Sequence, residues 1–286
     1  MHYRIFTQNL YSMRLLEQQN FKNERAVIRV DFNVPLNEES EVTDKTRIQA
    51  AKPTIEYILS QGGSCVLLSH LGRPEGRDPK LSLEHIVSEV SSILGVDVNF
   101  CSQVVGDEAE AQAAALKPGE VLLMENLRYH KEETKGDETF AQQLARLGTV
   151  YVNDAFGTAH RAHASTTIMA KYFEGKKCFG SLLASEVKAI EKVMKDGESP
   201  VVAILGGAKV SSKITIIESL LDKVDHLIIG GGMVYTFTKA QGGTVGNSIC
   251  EPDYCDYALE LLEKAKAKGV EIHLPVDVIA GDDFSN

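Results

Sequence analysis

Short apolar runs alternate along this chain with longer stretches in which apolar residues recur every three or four positions. The short runs are typical of buried strands, and the longer spacing is typical of amphipathic helices. The strand-like runs in the first part of the chain are residues 26–30, 65–68, 121–124 and 150–152. Helical spacing covers residues 48–59 and 83–94, and Gly95 follows the second stretch as a C-cap. Strands and helices alternate in units of about thirty residues, which predicts right-handed crossovers in a parallel sheet.

A long amphipathic stretch at residues 183–195 separates this pattern from a second one. The alternation then restarts, with strand-like runs at residues 201–205, 227–229 and 270–274 and a helix-like stretch at 254–268. We predict an α/β fold of two Rossmann-like, three-layer α/β/α domains whose parallel sheets are joined by a hinge helix. Few strands follow the hinge helix, so the second domain is expected to be truncated.

The predicted domain limits follow from these two patterns. The first domain covers residues 1–182 and begins with an extension over about residues 1–20. The interdomain helix covers residues 183–197, and the partial second domain covers residues 198–286.

Composition narrows the choice of partners. The 286 residues carry a formal net charge of −10, which argues against a nucleic-acid or membrane-surface partner, because both favour a broad basic face. No apolar stretch approaches the ~20 residues that span a bilayer, and residues 1–13 lack a secretory apolar region. The five cysteines have no C-x-x-C spacing, which favours buried free thiols in a reducing cytoplasm over a zinc site.

Basic residues recur just beyond the strand-like runs of this acidic chain. They are Arg47, His70, Arg73, Arg128 and Arg161, followed in the second pattern by Lys209 and Lys213. The carboxyl ends of parallel strands open toward one crevice, so cations gathered there predict a site for a small polyanion. The chain is therefore expected to handle phosphate groups.

Two strand ends carry polar residues that could bind a substrate. Asp31 and Asn33 lie two positions apart, so they point the same way in extended chain and could grip a hydroxyl. Local turn bonds are the alternative. The second strand end is followed by residues 69–74, where Gly72 permits an unusual φ. His70 and Arg73 could donate hydrogen bonds to a phosphate group. The alternative is a loop arginine that is solvated and binds no ligand.

The segments around Arg128 and Arg161 also follow strand-like runs. His160 and His163 flank Arg161 and could suggest a metal pair. Without a third ligand nearby, we favour local hydrogen bonding or phosphate contact over a metal site.

The sharpest local signal combines a strand, a glycine pair and a helix start over residues 203–213. Gly206 and Gly207 would place free backbone N–H groups beside Lys209 and Lys213, which we expect on one helix face. The Walker A pattern is absent, and a solvated basic helix end is the alternative.

A second glycine cluster lies further along the chain, after residues 227–229. Gly230, Gly231 and Gly232 could admit a ligand close to the backbone. Tyr235 occupies the last glycine position of the dinucleotide fingerprint, which disfavours NAD.

Together these segments closely resemble the phosphoglycerate kinase family. The matching motifs are RVDFNVP at 29–35, TRIQAA at 46–51, SHLGRP at 69–74, ENLRYH at 125–130, NDAFGTAHRAHAS at 153–165, ILGGAKVSSKI at 204–214 and IIGGGMVYTF at 228–237. The resemblance implies a two-domain, hinge-bending, monomeric and cytoplasmic enzyme of glycolysis. Such an enzyme transfers a phosphoryl group between ATP and the carboxylate of 3-phosphoglycerate, giving 1,3-bisphosphoglycerate and ADP. Magnesium is carried by the nucleotide.

The resemblance also implies a role for each predicted site residue. Asp31 and Asn33 would hold the glycerate end, and Arg47, Lys209 and Lys213 would act on the transferring group. The stable phosphate would be held by His70, Arg73, Arg128 and Arg161, with Leu71 and Gly72 also in the substrate site. The nucleotide pocket would include Gly207, Ala208, Lys209, Lys213, Gly230, Gly231 and Gly232. The first domain would thus bind 3-phosphoglycerate and the second the nucleotide.

The family's chain continues past Asn286, where its protein ligand for magnesium is expected. We therefore expect a fragment that binds phosphoglycerate better than it turns over. Two alternatives stay open: a non-catalytic module that binds phosphate or triose phosphates, and a dinucleotide-dependent dehydrogenase.

Overall fold

The computed structural model describes residues 14–279 and residue 281. The chain forms two compact units, residues 1–188 and 189–286, which are described separately. The division between the two units falls within the stretch predicted as the interdomain helix, and the predicted domain limits themselves stay a prediction.

The first unit is built on a seven-stranded sheet in which every strand pairing is parallel. Its strands are β1 (Arg14–Leu15), β2 (Arg25–Arg29), β3 (Ser64–Leu68), β4 (Val98–Cys101), β5 (Val121–Met124), β6 (Val150–Asn153) and β7 (Lys177–Phe179). The order across the sheet is β1-β7-β6-β2-β3-β5-β4. In the centre Val27 of β2 lies opposite Val66 of β3 and Tyr151 of β6.

Helices cover both faces of this sheet. They are α1 (Thr46–Ser60), α2 (Val87–Leu94), α3 (Asp107–Ala114), α4 (Lys131–Lys135) and α5 (Glu138–Ala145). A further helix, α6 (Ser181–Asp196), follows β7 and contains the boundary between the two units. Val27 and its neighbour Ile28 are both fully buried but belong to different hydrophobic clusters. Ile28 packs with Ile55 of α1, whereas Val27 packs with Phe140 of α5. Alternate residues of one strand therefore face two helical layers, which confirms the predicted α/β/α architecture.

Short helical turns link these elements. The 3₁₀ turns are Leu16–Gln18, Pro79–Leu81, Leu83–Ile86, Leu127–Tyr129, Phe156–Thr158, Met169–Tyr172 and, in the second unit, Pro252–Tyr254, and a π turn covers Ala164–Ile168.

Three strands of the first unit were missed by the hydrophobic pattern. β4 mixes exposed and buried residues at the sheet edge, β7 has three residues, and β1 has two. Within the stretch predicted as an N-terminal extension, Arg14 and Leu15 of β1 pair with β7 and Leu16 is buried. Residues 1–13 of that extension lie outside the described residues.

The second unit contains a three-stranded parallel sheet in the order β10-β9-β8. Its strands are β8 (Val202–Leu205), β9 (His226–Ile229) and β10 (Glu271–His273), and its helices are α7 (Ile214–Leu220), α8 (Val234–Ala240) and α9 (Cys255–Ala267). Leu227 and Ile229 pack with buried residues of these helices. The opposite face carries Val202, Ile204 and Ile228, which are exposed. Among the described residues, no helix covers this second face of the sheet.

All five cysteines are free thiols. Cys65, Cys101 and Cys178 are buried, and burial raises the pKa of Cys178 to about 12. Cys250 and Cys255 are half-buried, which differs from the prediction that all the thiols are buried. Among the described residues, no helix combines the length and apolarity that crossing a membrane requires.

Candidate functional site

Four neighbouring strands of the first unit end at the same edge of the sheet. They are β6, β2, β3 and β5, and the segment after each one carries predicted site residues. Asp31 and Asn33 follow β2, and residues 70–73 follow β3. Arg128 follows β5 and Arg161 lies in the segment after β6. Parallel pairing thus brings residues that are far apart in sequence to one edge, as the strand pattern predicted.

Gly72 joins three of these strand ends. Its backbone N–H donates to Oδ1 of Asn33 at 2.7 Å, and its carbonyl accepts from the Arg128 guanidinium at 2.6 Å. Its φ of 63° lies in the left-handed region, and a Cβ there would lie 2.8 Å from the Leu81 side chain. The position therefore requires glycine. Because the Asn33 carbonyl accepts from the protein, its amide N–H₂ is the group that can face a substrate.

Asp31 and Arg47 form an ion pair beside this junction. Arg47, in the first turn of α1, donates from NH1 to Oδ2 of Asp31 at 2.8 Å. Half of the Arg47 side chain is exposed, whereas Asp31 is mostly covered. The carboxylate therefore orients a guanidinium that remains accessible to a ligand.

Asn126 clamps the loops that follow β3 and β5. It is fully buried, and its Nδ2 donates to the carbonyls of Leu71 at 2.7 Å and Leu81 at 2.8 Å. Its Oδ1 accepts from the N–H groups of Leu71 and Arg128. The ENLRYH motif contains this residue, but the strand-end pattern drew attention only to the arginine. The signal available was a short polar residue directly after a buried strand.

A buried polar network lies beneath the arginines. The Arg29 guanidinium, 1% exposed, donates to Ser165 Oγ at 2.8 Å and to the Val30 carbonyl. Ser165 donates through its hydroxyl and its backbone N–H to the Glu133 carboxylate, at 2.6 and 3.0 Å. A fully buried arginine is thus linked through one serine to a buried carboxylate. The sequence predicted none of these three residues as functional.

His70 is neutral rather than cationic. Burial, together with the positive charges of Arg29, Arg128 and Arg47, lowers the pKa of His70 to about 2. The sequence pattern grouped His70 with the cations because its burial next to three guanidinium groups is a tertiary property. The ring still offers an N–H donor, so it can contribute to anion binding without charge.

The arginines of this edge repel one another. Burial lowers the pKa of Arg128, and the nearby charges of Arg161, Arg29 and Arg73 act in the same direction. Arg73 and Arg161 are exposed and Arg128 is half-buried. A dianion placed among these groups would relieve the repulsion and accept several charge-assisted hydrogen bonds.

The two histidines near Arg161 have separate partners. His160 Nε2 accepts from Nε of Arg161 at 3.2 Å, whereas His163 Nδ1 lies 3.8 Å from the Glu133 carboxylate. His163 is buried and His160 is exposed. Local hydrogen bonding, one of the two roles that the sequence favoured over a metal, describes His160, whereas the His163 ring lies at ion-pair distance from a carboxylate.

In the second unit the two glycine loops pack backbone against backbone. Met233 N–H donates to the Gly207 carbonyl at 2.9 Å, and a Cβ on Gly231 would lie 2.7 Å from that same oxygen. Gly232 lies against Ala208 in the same way, at 3.3 Å. The close contact therefore brings together the predicted nucleotide residues Gly207, Ala208, Gly230, Gly231 and Gly232.

The outer surface of these loops is open. A Cβ built on Gly206 or Gly230 meets no described atom within 4 Å. Neither residue has a positive φ, so the absence of a side chain leaves space rather than relieving strain. Such a surface lets a ligand approach the backbone closely.

The prediction that Lys209 and Lys213 share a helix face is wrong. α7 begins at Ile214, Lys213 is its N-cap residue, and Lys209 lies in the preceding irregular segment. The predicted free N–H groups are also partly used, because the Glu251 carboxylate accepts from the Ser211 backbone N–H at 3.0 Å and its hydroxyl at 2.6 Å. Spacing alone could not reveal the hydrogen bonds that Ser211 donates to Glu251, forty positions away.

Comparisons with known proteins agree on one family. The family model described as phosphoglycerate kinase matches residues 16–286. The phosphoglycerate kinase of Moorella thermoacetica is 53% identical over 270 residues, covering 94% of this chain and 68% of the relative. That of Porphyromonas gingivalis is 49% identical, covering 95% and 71%. The solved structure of phosphoglycerate kinase from Coxiella burnetii has a TM-score of 0.79 at 40% identity, covering 96% and 68%.

Proposed function

This chain belongs to the phosphoglycerate kinase family, and we propose that it transfers a phosphoryl group between ATP and the carboxylate of 3-phosphoglycerate. The products are 1,3-bisphosphoglycerate and ADP. The observation that carries this proposal is the sheet edge where Arg47, Arg73, Arg128 and Arg161 gather around Asp31 and Asn33. Family membership sets aside a dinucleotide-dependent dehydrogenase.

We assign the two ends of the substrate to two parts of this edge. The stable phosphate binds Arg73, Arg128 and Arg161, whose guanidinium groups match phosphate oxygens, and accepts from the neutral His70 ring. Leu71 and Gly72 supply the loop backbone that holds these side chains. At the glycerate end, the Asp31 carboxylate accepts from the hydroxyl, and the Asn33 amide donates.

The reaction needs no general base, because the attacking carboxylate is already ionised at neutral pH. Catalysis then rests on positioning and on neutralising the charge of the transferring group. We assign this neutralisation to Arg47 in the first unit and to Lys209 and Lys213 in the second.

The nucleotide fits the open glycine loops of the second unit. Gly206 and Gly230 leave room for a ring or phosphates, and Gly207, Ala208, Gly231 and Gly232 form the packed backbone behind them. Magnesium carried by the nucleotide would supply further charge neutralisation at the phosphates. We expect no metal ligand among the first-unit site residues.

We further propose that the protein acts on small molecules as a cytoplasmic monomer, without nucleic-acid or membrane partners. Support comes from the acidic net charge and from relatives such as the Nicotiana tabacum enzyme, which is described as cytosolic and is 50% identical.

The test is a calorimetric titration with 3-phosphoglycerate, using 2-phosphoglycerate and inorganic phosphate for comparison. Arg73 is exposed and makes no described hydrogen bond or ion pair, so Arg73→Ala removes a charge without breaking an internal contact. We expect at least about tenfold weaker binding, the loss of one charge-assisted hydrogen bond. Arg77→Ala, four residues away, is the charge control: it removes an exposed guanidinium that donates to the Ser102 carbonyl at 3.4 Å, and it should bind like the wild type.

Transfer itself is tested by following ADP formation from ATP and 3-phosphoglycerate. Selective binding with measurable transfer supports the proposal. Equal binding of 3-phosphoglycerate and inorganic phosphate, unaffected by Arg73→Ala, would instead indicate a generic anion-binding module.

A further inference from the structure

Three metal-binding side chains meet on the open face of the second-unit sheet. β9 and β10 are parallel neighbours, and their register places Glu271 directly opposite His226. His273 follows Glu271 by two residues, so it points to the same face of β10. That face also carries the exposed Ile228, whereas Leu227 and Ile229 point into the core. Strand register, rather than loop conformation, therefore holds the three side chains together.

The ligand atoms are spaced like the corners of a coordination face. His226 Nδ1 lies 3.0 Å from His273 Nε2 and 3.3 Å from Glu271 Oε2, and His273 Nε2 lies 3.9 Å from the same oxygen. Zinc–nitrogen and zinc–oxygen bonds of about 2.0–2.1 Å in a tetrahedron separate neighbouring ligand atoms by about 3.3–3.4 Å. The observed separations bracket this value, so small side-chain rotations would complete the face.

We propose that His226, Glu271 and His273 form a binding site for a divalent transition-metal ion of the zinc type. Two imidazoles and one carboxylate are the ligand set of open zinc sites, in which a water or another ligand takes the fourth position. Imidazole nitrogen favours zinc, copper or nickel over magnesium, so this site differs in chemistry from the nucleotide's magnesium. The inference is independent of the proposed phosphoryl transfer.

The site is accessible to an ion from solution. In the described part of the chain, the side chains of His226, His273 and Glu271 are 33%, 42% and 66% exposed, which leaves room for an ion and a fourth ligand. The protein's net charge of −10 also favours cation binding in general. The same three side chains are the only His, Cys, Asp and Glu group with this spacing in the described part of the chain.

A zinc titration of the purified chain tests the site. We expect one zinc ion to bind by calorimetry and to shift the ring resonances of His226 and His273 selectively in nitrogen–proton NMR spectra. His226→Gln and His273→Gln should each weaken binding by at least about tenfold, the lower limit seen even for indirect partners of a metal. His85→Gln changes an exposed histidine of the first unit and should leave the affinity unchanged.

Thiols also bind zinc, so the titration is repeated in a Cys250→Ser, Cys255→Ser variant. Retained binding in that variant, together with the loss in both histidine variants, supports the site. Binding that follows the cysteines, or that is equal in wild type and His273→Gln, overturns it. An absence of binding at millimolar zinc also overturns the proposal. The two histidines would then simply share a hydrogen bond.

Discussion

The Arg29 guanidinium donates a hydrogen bond to Nδ1 of His70 across 3.2 Å, and both side chains are buried. Arginine can only donate, so Nδ1 must accept, and the proton of the neutral ring lies on Nε2. One interior arginine therefore sets the tautomer of a residue at the proposed phosphate site. It also disfavours protonation, because burial and neighbouring positive charge both lower the pKa of His70.

The first prediction is that His70 stays neutral between pH 5 and pH 8 in the free protein. Its pKa of about 2 lies far below this range. Nitrogen–proton NMR of the histidine rings should show the Nε2–H tautomer with no titration over these pH values. A His70 midpoint near 6.5 would contradict the assignment.

The second prediction is a loss of stability on acidification through His70. Its folded pKa of about 2 lies below the ordinary 6.5, so between these values the unfolded chain binds more protons. With respect to His70, the free energy of unfolding is therefore at its maximum above about pH 6.5 and decreases as the pH falls. Between pH 7 and pH 5 the contribution of His70 alone is about 2 kcal/mol. Urea unfolding at both pH values measures it.

The comparison for this experiment is His70→Asn, whose carbonyl can still accept from Arg29 but does not titrate. Asp154 has the opposite effect on the pH dependence of stability, because burial raises its pKa to about 6. Since Asp154 is present in both proteins, its effect is the same in wild type and variant. The difference between wild type and variant therefore isolates His70. An identical pH dependence in both proteins would refute the prediction.

The third prediction concerns Asn126, which clamps the loops that follow β3 and β5. Asn126→Ala leaves the buried polar groups of Leu71 and Leu81 without their partner, which should cost about 2–4 kcal/mol. Affinity for 3-phosphoglycerate should fall as well, because Arg128 loses its backbone anchor. Chemical denaturation and calorimetry measure the two effects. Asn99→Ala, an exposed asparagine of β4, should change neither by more than about 0.5 kcal/mol.

The fourth prediction compares glycines that leave space for a ligand with a glycine that the backbone conformation requires. Gly230→Val and Gly206→Val place side chains in open space, so the melting temperature should hold while affinity for Mg-ADP falls at least tenfold. Gly231→Ala should instead destabilise the second unit by about 1 kcal/mol or more, because its φ is 70° and its Cβ would meet Gly207. Unchanged Mg-ADP binding in both valine variants would argue against the proposed pocket.

Much of the first unit could be predicted because its central strands are strongly apolar. Residues 121–124 and β5 coincide, and the helical stretch at 83–94 contains α2. The hydrophobic pattern missed the edge strand β4 because Asn99 is polar and exposed and interrupts the apolar run. Short strands leave too few positions to show a period of two.

The arginines of the candidate site could be predicted from their position after strands, but their supports could not. Asn126 and Glu133 look like ordinary polar residues in sequence, and only burial distinguishes them. The prediction from the spacing of Lys209 and Lys213 was wrong for a related reason. A spacing of four means a shared helix face only inside a helix, and the chain is not helical at Lys209.

The sequence by itself determined the α/β class, the order of most elements and the family, because apolar periodicity and local motifs are properties of neighbouring residues. Tertiary structure alone decided the charge state of His70, the partners of Arg29 and the meeting of His226 with His273. Arg29 and Ser165 are 136 positions apart, and His226 and His273 are 47 apart. Their contacts depend on strand order and register, and burial there sets which groups remain neutral and which can still bind a ligand.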